Sequence, residues 1–67
     1  MPTSELAMAG IARLIALEAP DLRADLIMAI DSYAESCAYL TRRGLILPRS
    51  TVNQLWRLSE LSQALAG

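Results

Sequence analysis

The sequence has 67 residues, of which 54 % are hydrophobic and 19 % charged, and its formal net charge is −1. This composition excludes a disordered chain, which needs low hydrophobicity and high charge, and the length leaves room for one domain, residues 1–67. Domains below about 70–80 residues usually need a disulfide, a metal or a second chain for stability. One cysteine, Cys37, and no histidine exclude an internal disulfide and argue against a zinc site. Oligomerisation is the support that remains.

The first predicted helix covers residues 4–18 and is apolar around nearly its whole circumference. Between Leu6 and Leu17 the only charged residue is Arg13. Such a helix is normally covered on every side, whereas a domain of this size buries only about 60 % of its unfolded surface. A second copy of the chain is the simplest cover. The apolar run is too short to cross a bilayer, which takes about 20 residues, so no membrane partner is expected.

The second predicted helix covers residues 21–43, after Pro20 and before Gly44, which supplies a left-handed stop. Its apolar residues form two adjacent stripes, wider than one neighbouring helix covers. We expect the first stripe to pack on the chain's own helices; it contains Leu22, Leu26, Ala29, Tyr33, Cys37 and Leu40. We expect the second stripe, with two isoleucines of the first helix, to form the dimer interface: Ile11, Ile15, Ile27, Ile30, Ala34 and Ala38.

The third predicted helix covers residues 51–65, where Thr51 and Gln54 have the spacing of a capping box. It is amphipathic, and Trp56 lies at the edge of its apolar arc. Two interpretations of this tryptophan stay open. It is either a lid over the core or an anchor in an interface, where Trp and Arg are enriched. With no strand pattern, the three helices predict an all-α bundle of helical-hairpin type, completed by homodimerisation.

No pattern of residues indicates catalysis or a bound cofactor. Nucleophilic catalysis usually needs a base beside the nucleophile, and the chain has neither histidine nor lysine. Cys37 lies in an apolar stripe, where a thiol behaves as a small hydrophobic group. Asp31 and Glu35 share a solvated face, and the isolated glycines form no phosphate-binding loop. We therefore expect a protein that is not an enzyme, without catalytic, metal-binding or cofactor-binding residues and without cofactors.

Charge is unevenly distributed along the chain. Residues 1–37 hold six acidic residues against two arginines, a net charge of −4, whereas residues 38–67 hold four arginines against one glutamate, a net charge of +3. Arginine is favoured over lysine at protein interfaces. The basic half predicts a partner-binding surface made of Arg42, Arg43, Arg49, Trp56 and Arg57, although these arginines could also serve only to balance helix ends and acidic residues.

Two functional hypotheses follow. In the first, the chain is a homodimeric helical regulator that binds and modulates another protein, like the small inhibitors, anti-activators and accessory proteins carried by phages or mobile elements. In the second, residues 38–58 form a helix-turn-helix-like segment of a DNA-binding regulator, with Asn53, Gln54 and Arg57 able to contact base edges. The long connection from Gly44 to Ser50 and the acidic net charge favour the first. The lone cysteine and the acidic segment before the first apolar run predict a cytoplasmic location.

Overall fold

The chain folds into three α-helices in a computed structural model, which describes the backbone of residues 3–67 and the side chains of residues 7–67. The helices are α1 (Thr3–Glu18), α2 (Arg23–Arg42) and α3 (Arg49–Ala66), and a 3₁₀ turn (Pro20–Leu22) separates α1 from α2. Residues 3–67 contain no strand. The predicted all-α class and the number of helices are confirmed.

The predicted start of α2 is two residues early because Pro20–Leu22 form a separate 3₁₀ turn. The Leu22 N–H donates a hydrogen bond to the Ala19 carbonyl oxygen at 3.0 Å, which closes that turn before α2 begins. The predicted end of α2 differs from the observed one by a single residue, within the usual uncertainty of helix ends.

The predicted capping box at the start of α3 is wrong. The helix begins at Arg49, and the N-cap position belongs to Pro48, which makes no side-chain capping bond. The N–H groups of Thr51 and Val52 donate to the Pro48 carbonyl oxygen at 3.0 and 3.1 Å. Thr51 is therefore already inside the first turn, where its side chain cannot act as the cap.

The predicted stop at Gly44 is confirmed by its backbone conformation. Gly44 has a φ of 96°, in the region that glycine adopts without steric penalty. The Leu45 N–H donates to the Leu40 carbonyl oxygen and the Gly44 N–H to that of Thr41, both at 3.0 Å. These two bonds make a Schellman motif, which satisfies the last carbonyl groups of α2 and turns the chain toward α3.

α3 is the central helix of the bundle, since it packs on both α1 and α2, whereas α1 and α2 make little direct contact. Met8 and Ile11 of α1 lie beside residues 54–61 of α3, and the later Ala12 and Ala16 lie beside Ala64 and Leu65. α1 and α3 therefore run in the same direction. Arg23, at the start of α2, lies beside the end of α3, so α2 runs in the opposite direction.

The face of α2 that packs inward lies between the two predicted stripes. Ile30 and Cys37 are buried, Leu26 and Tyr33 are half-buried, and Leu22 and Leu40 at the edge are exposed. The reason is that α2 has one packed neighbour, α3, rather than two. A single helix covers the centre of the apolar arc and leaves both of its edges open to solvent.

The core is small for a chain of this hydrophobicity. Among residues 7–67 only Ala12, Ile30, Cys37 and Leu65 are buried. The accessible surface is 5179 Å², whereas a compact monomer of this mass exposes about 4,200 Å². The radius of gyration is 13.0 Å, compared with about 11 Å for a compact domain of this length. The fold thus leaves unusually large apolar areas uncovered.

Candidate functional site

The six residues predicted for the dimer interface differ in burial. Ile30 is only 6 % exposed and belongs to the core of the single chain. The half-buried members are Ile15, Ile27 and Ala34, and the exposed members are Ile11 and Ala38. Of the large side chains in this set, only Ile11 offers substantial free surface to a second copy.

Trp56 lies on the solvent side of α3, so the interpretation of this residue as a lid over the core is wrong. Its side chain is 67 % exposed. Arg49 precedes it by seven residues, two turns of helix or about 10 Å, and therefore lies on the same side. Arg57 follows it directly and is also exposed. Trp56 is thus an exposed aromatic residue with an exposed arginine two turns before it and another directly after it.

The other predicted arginines lie at the end of the molecule where α2 stops and α3 starts. Arg42 and Arg43 are exposed and stand at the negative end of the α2 dipole. The guanidinium carbon of Arg43 lies 5.8 Å from the centroid of the Tyr39 ring, within the range of a cation–π contact. The first turn of α3 contains no acidic residue, so its positive dipole end adds to the basic character of this region.

The five residues predicted to form a partner-binding surface are all exposed, and we name this predicted surface the arginine–tryptophan face: Arg42, Arg43, Arg49, Trp56 and Arg57. Its charge comes from four arginines, and its one large apolar group is the indole of Trp56. Arginine and tryptophan are the residues that most often dominate binding energy at protein interfaces. The face is chemically suited to bind an acidic surface that carries an apolar recess.

One residue near this face was missed by sequence reasoning. Glu60 follows Trp56 by one turn, and its side chain is partly buried. Its Oε2 atom is buried and has no hydrogen-bond partner among the described residues. An unsatisfied buried carboxylate oxygen is unfavourable. Nothing in the local sequence indicates this, because the burial arises from the packing of α3.

Two open grooves beside α1 were also missed. The larger, about 400 Å³, is lined by alanines of α1 and by Ala64, with Arg13 and Arg23 at its edge. The smaller, about 330 Å³, is lined mainly by Met8, Ile11, Leu58 and Leu61, with Gln54 and Arg57. The spacing of Ala9, Ala12 and Ala16 is a sequence signal for the first groove, since it places small side chains on one side of the helix.

Cys37 and Tyr33 form the one pair of interacting ionisable side chains in the packed face of α2. The Cys37 thiol is free and buried. The pKa of Tyr33 is raised above its ordinary value of 10.0, first by burial and then by the neighbouring Cys37 thiol. The pair has no base or cation beside it in sequence. In the part of the chain that the structure describes, no group of three potential metal ligands comes together.

Comparison of the chain with protein families, curated proteins and solved structures finds no match. No helix of the described residues combines the length and the apolar content required to cross a membrane.

Proposed function

We propose that this chain is a non-enzymatic, cytoplasmic regulatory protein that forms a homodimer and binds another protein through the arginine–tryptophan face. By binding there it modulates its partner, as an inhibitor or an anti-activator does. A protein that is not an enzyme can act by occupying a surface that another molecule needs. Small accessory proteins of phages and mobile elements are the broad class that this proposal resembles.

The observation that carries the proposal is the exposure of Trp56 on the charged side of α3. A tryptophan is usually placed where its large apolar area is removed from water, and leaving it in solvent forfeits that stabilisation. In this fold most of the Trp56 side chain is left in solvent and contributes no stabilisation by burial within the chain. A partner that covers the indole ring and forms ion pairs with Arg49 and Arg57 accounts for the exposed tryptophan and for the arginines near it in sequence.

The test is affinity capture from the native host with the wild-type chain and with Trp56→Ala, followed by mass spectrometry. We expect one or a few proteins that the wild type retains and Trp56→Ala loses, because truncating an interface anchor typically weakens binding by 2 kcal/mol or more, about 30-fold. The captured protein should then bind the purified chain in titration calorimetry with the same difference between the two variants.

The matched control is Met28→Ala on α2. Met28 is 67 % exposed, as exposed as Trp56, and it precedes Arg42 on α2 by fourteen residues, about 21 Å of helix. Its truncation should leave capture unchanged. Equal capture by the wild type and by Trp56→Ala would contradict the proposed binding face.

DNA binding is the second candidate, and the observation in its favour is the exposure of Asn53, Gln54 and Arg57 on α3. These side chains are able to bond with base edges, while Arg42 and Arg43 are placed to meet phosphates. Against it, the connection between α2 and α3 spans residues 43–48, longer than the turn of a helix-turn-helix. Binding to duplex DNA that weakens steeply with salt and is abolished by Arg42→Ala with Arg43→Ala would favour this candidate.

A further inference from the structure

α1 has two apolar sides, and the fold of the single chain uses only one of them. Among residues 7–19, the side chains that are not exposed are Met8, Ala12, Ile15 and Ala19. Their spacing of four, three and four residues defines one line along the helix, which packs toward α3. Packing on α3 therefore explains the apolar residues on one side of α1 but not those on the other side.

The opposite side of α1 carries a second apolar line whose side chains are exposed. Leu14 is 59 % exposed and Leu17 is 75 % exposed, and the exposed Ala7 and Gly10 continue the line toward the start of the helix. The four positions follow the spacing three, four, three, which is that of positions a and d of a coiled-coil heptad. A Cβ added at Gly10 would meet no atom within 4 Å, so this side of the helix is open.

The charges beside this line fit a second copy in parallel orientation. With Leu14 at position a and Leu17 at position d, Arg13 occupies position g and Glu18 occupies position e. In parallel two-stranded coiled coils, a residue at g lies beside the residue at e that is five positions further on in the partner, and opposite charges there stabilise the pair. Arg13 and Glu18 are separated by five residues and are both exposed. An antiparallel pair would place g beside g and e beside e, without this attraction.

The surface area of the chain indicates that a cover of interface size is missing. The accessible surface of 5179 Å² exceeds that of a compact monomer of this mass by about 1,000 Å². A stable protein interface removes about 800 Å² from each partner. The excess therefore corresponds to one interface for each chain.

We infer that the outer face of α1, made of Leu14 and Leu17 flanked by Arg13 and Glu18, is the dimer interface, and that it pairs with the same face of a second copy as a short parallel coiled coil. The inference rests on the proposed homodimeric function and specifies its geometry. It replaces an interface centred on α2 with one on α1, in which Leu14 meets Leu14 and Leu17 meets Leu17 across a two-fold axis.

The first experiment measures self-association by sedimentation equilibrium. The wild type should sediment at twice its chain mass of 7.3 kDa. Leu17→Asp should raise the dimer dissociation constant by about 100-fold or more, because it buries an unpaired carboxylate in the interface. Ile46→Asp, at the most exposed apolar residue of the linker, is the matched control and should leave the constant unchanged.

The second experiment depends on charge and orientation, and it uses variants that leave the core untouched. Arg13→Glu alone should weaken the dimer several-fold by placing like charges beside Glu18, and Arg13→Glu combined with Glu18→Arg should restore it. Leu14→Cys should form a disulfide between copies under mild oxidation, since equivalent residues face each other only in the parallel arrangement. The wild type is the control, because its own Cys37 is buried.

The outcomes separate the interface from the wider proposal. A wild type that is monomeric at millimolar concentration would overturn both the interface and the homodimer. A wild-type dimer that survives Leu17→Asp would overturn the α1 interface alone, as would failure of the double charge swap to restore association. In a mixture of the single variants, crosslinking of Leu14→Cys to Leu17→Cys, without crosslinking of Leu14→Cys to itself, would show an antiparallel pair. That result would overturn the parallel arrangement.

Discussion

At the scale of single residues, the Tyr33 hydroxyl is a group whose ionisation the fold changes. Its pKa is raised above 10.0, chiefly by burial and then by Cys37. The folded chain therefore holds the phenolic proton more tightly than the unfolded chain. This contribution to stability is complete below the unfolded pKa and is lost as the pH rises through the folded pKa.

We accordingly expect the free energy of unfolding to fall as the pH is raised above 10, and Tyr33→Phe to reduce that fall. Chemical denaturation followed by circular dichroism, between about pH 8 and about pH 11, measures both slopes. Met28→Ala, which removes an exposed side chain without an ionisable group, is the control and should keep the wild-type slope. Identical slopes for the wild type and Tyr33→Phe would contradict the expectation.

Glu60 is the second residue with a consequence for stability. Its buried Oε2 atom lacks a hydrogen-bond partner among the described residues, and burying an unpaired charged group is more unfavourable than burying a neutral one. We expect Glu60→Gln to raise the free energy of unfolding at neutral pH by about 1 kcal/mol. Glu35→Gln, at an exposed acidic position of α2, should change it by much less. A lower stability for Glu60→Gln than for Glu35→Gln would show that the carboxylate is stabilising.

At the scale of elements, two glycines occupy different positions relative to the helices. Gly44 has a positive φ and closes the Schellman motif, whereas Gly10 lies inside α1, and neither would place a new Cβ within 4 Å of another atom. Gly44→Ala should lower the free energy of unfolding by about 1–2 kcal/mol, through backbone strain alone. Gly10→Ala should raise it by about 0.5–1 kcal/mol, through helix propensity. Thermal melts of both variants in dilute solution compare the two effects, and a shift in the same direction for both would contradict this account.

The sequence is sufficient to predict the three helices and the stop at Gly44, because both depend on local signals. Pro20 and Gly44 determine where helices end through their own backbone preferences. The inward face of α2 is not predictable in this way, since its apolar arc is wide enough to accommodate several orientations and the single neighbour α3 selects the centre. The capping box failed for a different, local reason. Pro48 is the N-cap of α3, so Thr51 already lies in the first turn of the helix.

The candidate site was predicted in composition but not in arrangement. The arginines and Trp56 are exposed as expected of a binding surface, and helix periodicity alone relates Arg49 to Trp56. The predicted dimer interface depended on which of two adjacent stripes of α2 faces outward, and periodicity does not decide that. Exposure of Leu14 and Leu17 becomes visible only once α3 is known to cover the other side of α1.

At the scale of the whole molecule, the core is so small that one substitution should unfold the chain. Ile30 is almost completely buried in a bundle with only three other buried side chains among residues 7–67. Ile30→Asp should abolish the helical signal in circular dichroism at 25 °C, because burying a carboxylate there exceeds the few kcal/mol that such a core supplies. Met28→Asp, two residues earlier on the solvent side of α2, should remain folded. If Ile30→Asp melted cooperatively at the same temperature as the wild type, the core would be centred elsewhere.

The burial of Cys37 gives the molecule an internal reporter of its own opening. The thiol is only 5 % exposed and lies in the face of α2 that packs on α3, so a thiol reagent reaches it only after those helices separate. Where reclosing is faster than modification, the labelling rate follows the population of the open form. The labelling rate of Cys37 in the wild type thus reports how often α2 and α3 separate. Any ligand or second copy that stabilises the closed bundle should lower this rate in proportion to its occupancy.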